Sequence, residues 1–229
     1  MPVISLVSSK GGVGKSTIAL VLVGEILHAG GTVTVIDADP NQPIADWAET
    51  TGERKGLTVV GGVTEKNIIE EIEVAATKTA FVIIDLEGSA NTSVGYAISR
   101  SDLVIIPSQG SILDRDGAGR ALDLISETNR AFKVNVDHAI LLTRTNAAVR
   151  PRPLRQVIDD FSQAGVSMFT VQLFERMAFS SIFSYGGTLH DLRDSEASNL
   201  EGAKENAAAL LQEILTRMKL KNLNDRSAA

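Results

Sequence analysis

The run Ser9-Lys10-Gly11-Gly12-Val13-Gly14-Lys15-Ser16-Thr17 constrains this chain more than any other stretch. It follows a short apolar run, Val3–Ser8, and opens a helical pattern near 15–29, the context that a phosphate-binding loop requires. Glycines at 11, 12 and 14 let several backbone N–H groups converge on one anion, and the helix N-terminus adds its positive dipole end. Lys15 has the reach for β- and γ-phosphates, and the Ser16 hydroxyl is a ligand for Mg²⁺. Residues Lys10 to Thr17, Val13 included, are therefore candidate nucleotide contacts. The strict pattern puts glycine at 9, where this chain has Ser9.

The rest of the chain supplies the fold for such a loop. Val3–Ser8, Thr32–Ile36, Leu57–Val60, Phe81–Asp85, Leu103–Ile106, Ala139–Thr143 and Met168–Val171 read as strands. Several are apolar without alternation, as in parallel strands covered on both faces. Amphipathic segments lie between them near 15–29, 64–77, 91–100, 116–131, 152–164 and 196–220, with Thr64 as the expected N-cap of the second. This alternation predicts a single α/β domain over 1–229, a doubly wound, mostly parallel sheet of about seven strands flanked by helices.

Composition removes other chemistries. The chain has no cysteine, which excludes a disulfide framework, a thiolate-held cluster and a thiol nucleophile. Three histidines without metal-ligand spacing argue against a histidine metal site. A net charge of −6 means that any nucleic-acid contact must come from a local basic patch. The N-terminal run lacks the features of a signal peptide, and the longest apolar run, Ile18 to Val23, is far short of a membrane span. The expectation is a cytoplasmic protein.

Two strands end in carboxylates. Val33-Thr34-Val35-Ile36 runs into Asp37-Ala38-Asp39-Pro40, where both acids project from one side of an extended chain at the carboxyl end of the sheet, where ligands bind. Phe81-Val82-Ile83-Ile84 runs into Asp85-Leu86-Glu87-Gly88, an apolar strand closed by a metal-holding aspartate, with Gly88 allowing close backbone approach. Glu87 would add charge near a triphosphate and is expected to face solvent or a partner subunit. Basic residues gather in two places: Arg144, Arg150, Arg152 and Arg155 without an intervening acid, and Arg217, Lys219 and Lys221 after an amphipathic stretch.

Lys10-Gly-Gly-x-Gly-Lys15-Ser16 resembles the deviant Walker A motif of the ParA/MinD superfamily of ATPases, and the likeness runs over residues 1–215, the expected nucleotide-binding core, ahead of a polar tail at 219–229. It implies ATP and Mg²⁺ as ligands, with Lys15 acting in cis and Lys10 crossing an ATP-bound homodimer to the partner's nucleotide, in the manner of an arginine finger. Asp-x-Asp-Pro resembles the family's first switch, which makes Asp39 the residue that positions the attacking water and puts Asp37 near Mg²⁺ with Ser16 and Asp85. Asn41 stands where the family has glutamine, which weakens any role for that side chain. Thr143, Arg144 and Leu173 to Arg176 fall at strand ends that cradle the base in relatives.

The likeness is greatest to small ParA-type (ParF-like) partition ATPases that begin at the phosphate loop, with Trp47 shortly after Asp-x-Asp-Pro. With Val3 so near the start of the sequence, no operator-reading helix-turn-helix is expected ahead of the phosphate loop, and a small partner protein of the ParB or ParG kind is expected to do that reading. The implied activity is slow ATP hydrolysis, stimulated by that partner. It switches a dimer that holds DNA non-specifically and associates with the nucleoid, so as to segregate or position a plasmid, a chromosome or a transfer complex. Arg150, Arg152, Arg155, Arg217, Lys219 and Lys221 are the candidate DNA contacts. The alternative is a MinD-like membrane-associated or protein-scaffold positioner. Its amphipathic C-terminal anchor is not evident in the aromatic-free segment Lys219–Ala229, so no membrane contact is expected.

Overall fold

In the computed structural model, which describes residues 1–89, 91–146 and 152–228, a seven-stranded parallel sheet is ordered β3-β2-β4-β1-β5-β6-β7. The strands are β1 (Val3–Leu6), β2 (Val33–Ala38), β3 (Leu57–Val60), β4 (Phe81–Leu86), β5 (Leu103–Ser108), β6 (Asp137–Thr145) and β7 (Leu173–Phe174). The helices are α1 (Lys15–His28), α2 (Pro43–Thr51), α3 (Ile68–Lys78), α4 (Thr92–Ser99), α5 (Ile112–Phe132), α6 (Arg152–Gln163), α7 (Met177–Tyr185) and α8 (Leu200–Ala228).

Alternate strand residues feed two cores. Ile4, Leu6, Val33, Val35, Ile83, Ile105 and Leu141 pack under α1, α2, α7 and α8, while Val3, Ile36, Val82, Ile84, Val104, Ile106 and Leu142 pack under α3 to α6. Helix α1 is buried from Ile18 through Ile26 because it lies between the sheet and the outer helices, so it carries no polar stripe. Each such side chain withdrawn from water stabilises by about 1.5–3 kcal/mol.

β1 sits mid-sheet, between β4 and β5, with the chain leaving it toward β2 on one side and returning through β5 on the other. Such a switch of direction leaves a crevice at the carboxyl ends of the strands. The glycine loop, the acids after β2 and β4, and the ends of β5 and β6 all open there.

Six strands lie where expected, with small shifts at their ends; the seventh does not. Met168 makes only an isolated bridge to Ile140, and the pairing strand is Leu173–Phe174. The reason is α8: Glu213 accepts the N–H groups of Thr170 and Val171 at 2.7 and 2.8 Å, diverting them from a ladder. Asn206 then takes Phe174 N and donates to Gln172 O, covering the sheet edge.

Two helices were not anticipated. α2 starts at Pro43, whose missing N–H costs nothing at a first helical position, and α7 follows β7 directly. The N-cap of α3 is Asn67 rather than Thr64, and the Asn67 side chain turns back to accept from Thr64 N and Oγ1. α5 begins four residues ahead of 116 because Ser111 and Asp114 form a capping box. α8 continues through the polar segment after 219 to Ala228.

Candidate functional site

The phosphate loop is built at the mouth of β1 and braced from three sides. Gly14, the residue before α1, has φ 104°, a conformation open to glycine and costly for other residues. Gln109 Nε2, just past β5, donates to Gly12 O at 3.0 Å, and Thr143 Oγ1, on β6, donates to Val13 O at 2.9 Å. Lys10 N donates to Ser8 Oγ. From behind, Gly88 presses on the loop: a Cβ there would lie 2.9 Å from the Lys10 carbonyl carbon and 3.0 Å from Gly11 N, so no side chain fits. With carbonyls tied to these braces, and the first N–H groups of α1 lacking intrahelical acceptors, the loop is shaped to receive an anion. Lys15 is buried at its edge, and Ser16 and Thr17 follow on the first turn of α1.

Beneath the loop lie the acids of β2 and β4, which the register sets side by side, Asp37 against Asp85. Asp85 is fully buried, and its Oδ2 accepts from Ser16 Oγ at 2.5 Å. Burial pushes its carboxyl up to about 7, against the pull of the Ser16 hydroxyl and Lys15. Its other oxygen, Oδ1, is buried with no hydrogen-bond partner. A buried carboxylate oxygen left unsatisfied is costly, and a cation at that point would satisfy it. Among the described residues no group of three or more His, Cys, Asp or Glu gathers into an all-protein metal cage. One carboxylate, one hydroxyl and an open side fit Mg²⁺, which keeps several waters and shares phosphate oxygens.

Asp37, expected near the metal, is turned to the backbone. Its Oδ2 accepts from Ile44 N and Ala45 N at 2.8 and 3.0 Å, and its Oδ1 from Asp39 N at 3.2 Å. Burial raises its carboxyl above the ordinary range against those three bonds. It caps α2 from the neighbouring strand, satisfying N–H groups that no local side chain reaches. Asp39 stays half-exposed at the crevice, where Asn41 donates to its Oδ1 from both its backbone N (2.9 Å) and Nδ2 (3.0 Å). The Asn41 side chain, for which only a weakened role is expected from the sequence, thus orients Asp39. Glu87 turns to Asn91, whose Nδ2 donates to it at 2.9 Å while Asn91 Oδ1 caps α4 by accepting from Val94 N.

Lys10 and Lys15 part company. Lys10 Nζ meets Asp114 Oδ1 at 3.2 Å on the first turn of α5. The sequence did not single out Asp114, Gln109, Gly117 or Arg120; Ser111-x-x-Asp114 is a capping-box signal that marks where the helix starts but not what it touches.

The base candidates converge. Thr143, Arg144, Leu173, Phe174, Glu175 and Arg176 line a cavity of about 420 Å³ that begins at Gly14 and Thr17, closed by Phe179, Ser180 and Phe183 of α7. Arg144 is the bulged residue between Thr143 and Thr145, at φ 50° and exposed, and Arg176 lies 5.8 Å over the Phe174 ring. A cavity of about 520 Å³, lined by His28, Arg54 and His190 among others, lies at the far end of α1 and shares no residue with the phosphate loop.

The DNA candidates separate. Arg150 lies outside the described residues. Arg152 and Arg155 are exposed on the first turn of α6. Arg217 is not available to a phosphate: its guanidinium spans both oxygens of Asp137 at 2.6 Å, donates to Ser167 Oγ and His138 O, and lies over the Phe169 ring. Lys219 is exposed, whereas Lys221 is half-buried and donates to Asp102 O at 3.3 Å.

A family model described as VirC1 protein matches residues 1–220. The chain belongs to the VirC1 protein family, within the ParA/MinD superfamily of partition ATPases. Among curated relatives of this VirC1-family chain, Protein ParA of Rhizobium radiobacter is 37% identical over 218 residues, covering 95% of this chain and 98% of its own. Apo McdA of Cyanothece superposes with a TM-score of 0.73 at 16% identity, covering 92% of this chain and 99% of that one. The MinD cell division protein of Aquifex aeolicus gives 0.72 at 15% identity, covering 94% and 98%. These two share the P-loop NTPase fold. The class of this VirC1-family chain is that of ATPases that partition or position a cargo. Among the described residues no helix is long and apolar enough to cross a membrane.

Proposed function

We propose that this chain is an ATP-dependent dimerising switch that holds DNA non-specifically in its ATP state and is released when a small partner protein of the ParB or ParG kind stimulates hydrolysis. The observation that carries the reading is the divergence of the two lysines, Lys15 buried at its own phosphate loop and Lys10 drawn away to Asp114. Residues 1–229 work as one unit in this reading, with the nucleotide core at 1–215.

Gly11 to Thr17 and Lys15 bind the triphosphate through backbone N–H groups and one ammonium. Mg²⁺ supplies charge neutralisation at the β- and γ-phosphates. Ser16 and Asp85 hold it, and Asp37 stands behind them by fixing the α2 turn that carries Asp39. Asp39, oriented by Asn41, positions the attacking water. Thr143, Arg144 and Arg176 frame the base. Lys10 serves the partner's nucleotide, which makes hydrolysis depend on the dimer. Two copies of the Arg152 and Arg155 patch, with Arg150 and Lys219, hold DNA through phosphate contacts that are individually weak and become useful when doubled. The ParA relative supports partition as the task. The cargo is a plasmid, a chromosome or a transfer complex, and the protein works in the cytoplasm on the nucleoid.

Retention on non-specific duplex DNA tests this reading, with ATP, ADP or no nucleotide at about 100 mM salt, beside anionic liposomes. ATP-dependent retention on DNA alone is the expected result. Retention on liposomes instead would overturn it in favour of a MinD-like membrane positioner.

A further inference from the structure

Ser9 departs from the glycine of the strict phosphate-loop pattern, yet its backbone is not in the left-handed region, so that glycine is not needed for conformation. Its hydroxyl is used instead. Ser9 Oγ donates to Gly117 O at 2.9 Å and accepts from Arg120 Nε at 3.3 Å. A Cβ on Gly117 would come within 3.3 Å of Ser9 Oγ and 3.4 Å of Lys10 Cδ, so the bare glycine surface is what the lysine stem runs along. Asp114, Gly117 and Arg120 recur every three residues on one face of α5. The loop thus meets α5 at three successive rungs: Ser9 at Arg120, the Lys10 stem at Gly117, and the Lys10 ammonium at Asp114.

We propose that Ser9 and Arg120 are positioning residues for Lys10: together they lay the start of the phosphate loop along α5, so that the lysine emerges in one direction, away from its own nucleotide. The inference rests on the reading of Lys10 as the residue that serves a second nucleotide. Arg120 is exposed, so its bond to Ser9 adds little to stability, and its effect falls on where the loop points. The ATP cradle itself is shaped by Gln109, Thr143 and Gly88 and does not depend on the tether.

The test is steady-state ATP hydrolysis by the full chain with Ser9→Ala, Arg120→Ala and the double variant. Arg120→Ala removes one of these hydrogen bonds and Ser9→Ala both, and each change is expected to lower kcat about three- to ten-fold with KM for ATP within about two-fold. The double variant is expected to be no slower than the slower single, because both act through one contact. Unchanged kcat in both singles overturns the proposal. So does a rise in KM with kcat intact, which would make Ser9 part of the cradle, or effects that multiply in the double variant. If wild-type chain neither binds nor hydrolyses ATP, the proposed function falls; if it does both and the variants match it, only the positioning role falls.

Discussion

Lys10 Nζ lies 3.2 Å from Asp114 Oδ1, joining the phosphate loop to the first turn of a helix 104 residues away in the chain. Asp114 also closes the capping box with Ser111, so one carboxylate both starts α5 and holds the lysine. The two duties separate by mutation. Ser111→Ala removes the cap and the hydroxyl bond to Asp114 Oδ2 but leaves the carboxylate that meets Lys10, and should cost about 1 kcal/mol in a urea melt while leaving ATP turnover near wild type. Asp114→Asn should cost a similar amount and also lower turnover several-fold; equal turnover in the two variants would remove the link between Asp114 and Lys10.

The same carboxylate gives a pH dependence. Burial alone would raise the Asp114 carboxyl, but bonds from Ser111 and Lys10 outweigh it and hold the group below the ordinary carboxylate value. A depressed acid contributes stability that is present above its unfolded value, about 3.9, and is lost as pH falls through the folded value. The stability gap between wild type and Asp114→Asn should therefore be constant near neutral pH and close in acid. Melts across that range measure it, and a gap that widens in acid contradicts the assignment.

The two lysines should fail differently. Lys15→Ala should abolish ATP binding, because the buried ammonium at the loop is lost. Lys10→Ala should bind ATP normally and fail to form an ATP-dependent dimer. Light scattering beside a nucleotide-binding isotherm reads both, and a normal ATP-dependent dimer of Lys10→Ala would count against service in trans. Asp39→Ala should bind ATP and dimerise but hydrolyse slowly, leaving a long-lived dimer; undiminished turnover would refute its water-positioning role.

Asp85 stores a cost that a cation should relieve. Its folded value near 7 stands above the unfolded one of about 3.9, so the metal-free protein should lose stability as pH rises between the two. Asp85→Asn should flatten that slope, melt higher than wild type at neutral pH without metal, and lose the extra stabilisation that Mg²⁺ gives with ATP. A variant that still gains from Mg²⁺ as wild type does would count against Asp85 as its holder.

The basic residues should sort by what their loss changes. Arg152→Ala with Arg155→Ala should flatten the salt dependence of DNA retention. Arg217→Ala should instead cost about 1–3 kcal/mol of stability, since it leaves Asp137 without its charged donor. A DNA defect in Arg217→Ala without a stability loss would reverse the two assignments.

By itself, the sequence determined whatever short-range pattern encodes. A glycine loop between an apolar run and a helix, acids two residues apart at a strand end, and alternating strand and helix periods dictated a doubly wound sheet with phosphate chemistry at the carboxyl ends of its strands. Those signals span a few residues, and backbone geometry alone carries them. Only the tertiary structure decided how polar groups were shared among competing partners. Asp37 was taken by the N–H groups of α2, Arg217 by Asp137, Lys10 by Asp114, and Thr170 and Val171 by Glu213. Apart from the local turn that ties Asp37 to α2, these partners lie tens of residues or more apart in sequence. Each is chosen because burying a polar group without a partner costs more than any local preference, a comparison that exists only after the chain has packed.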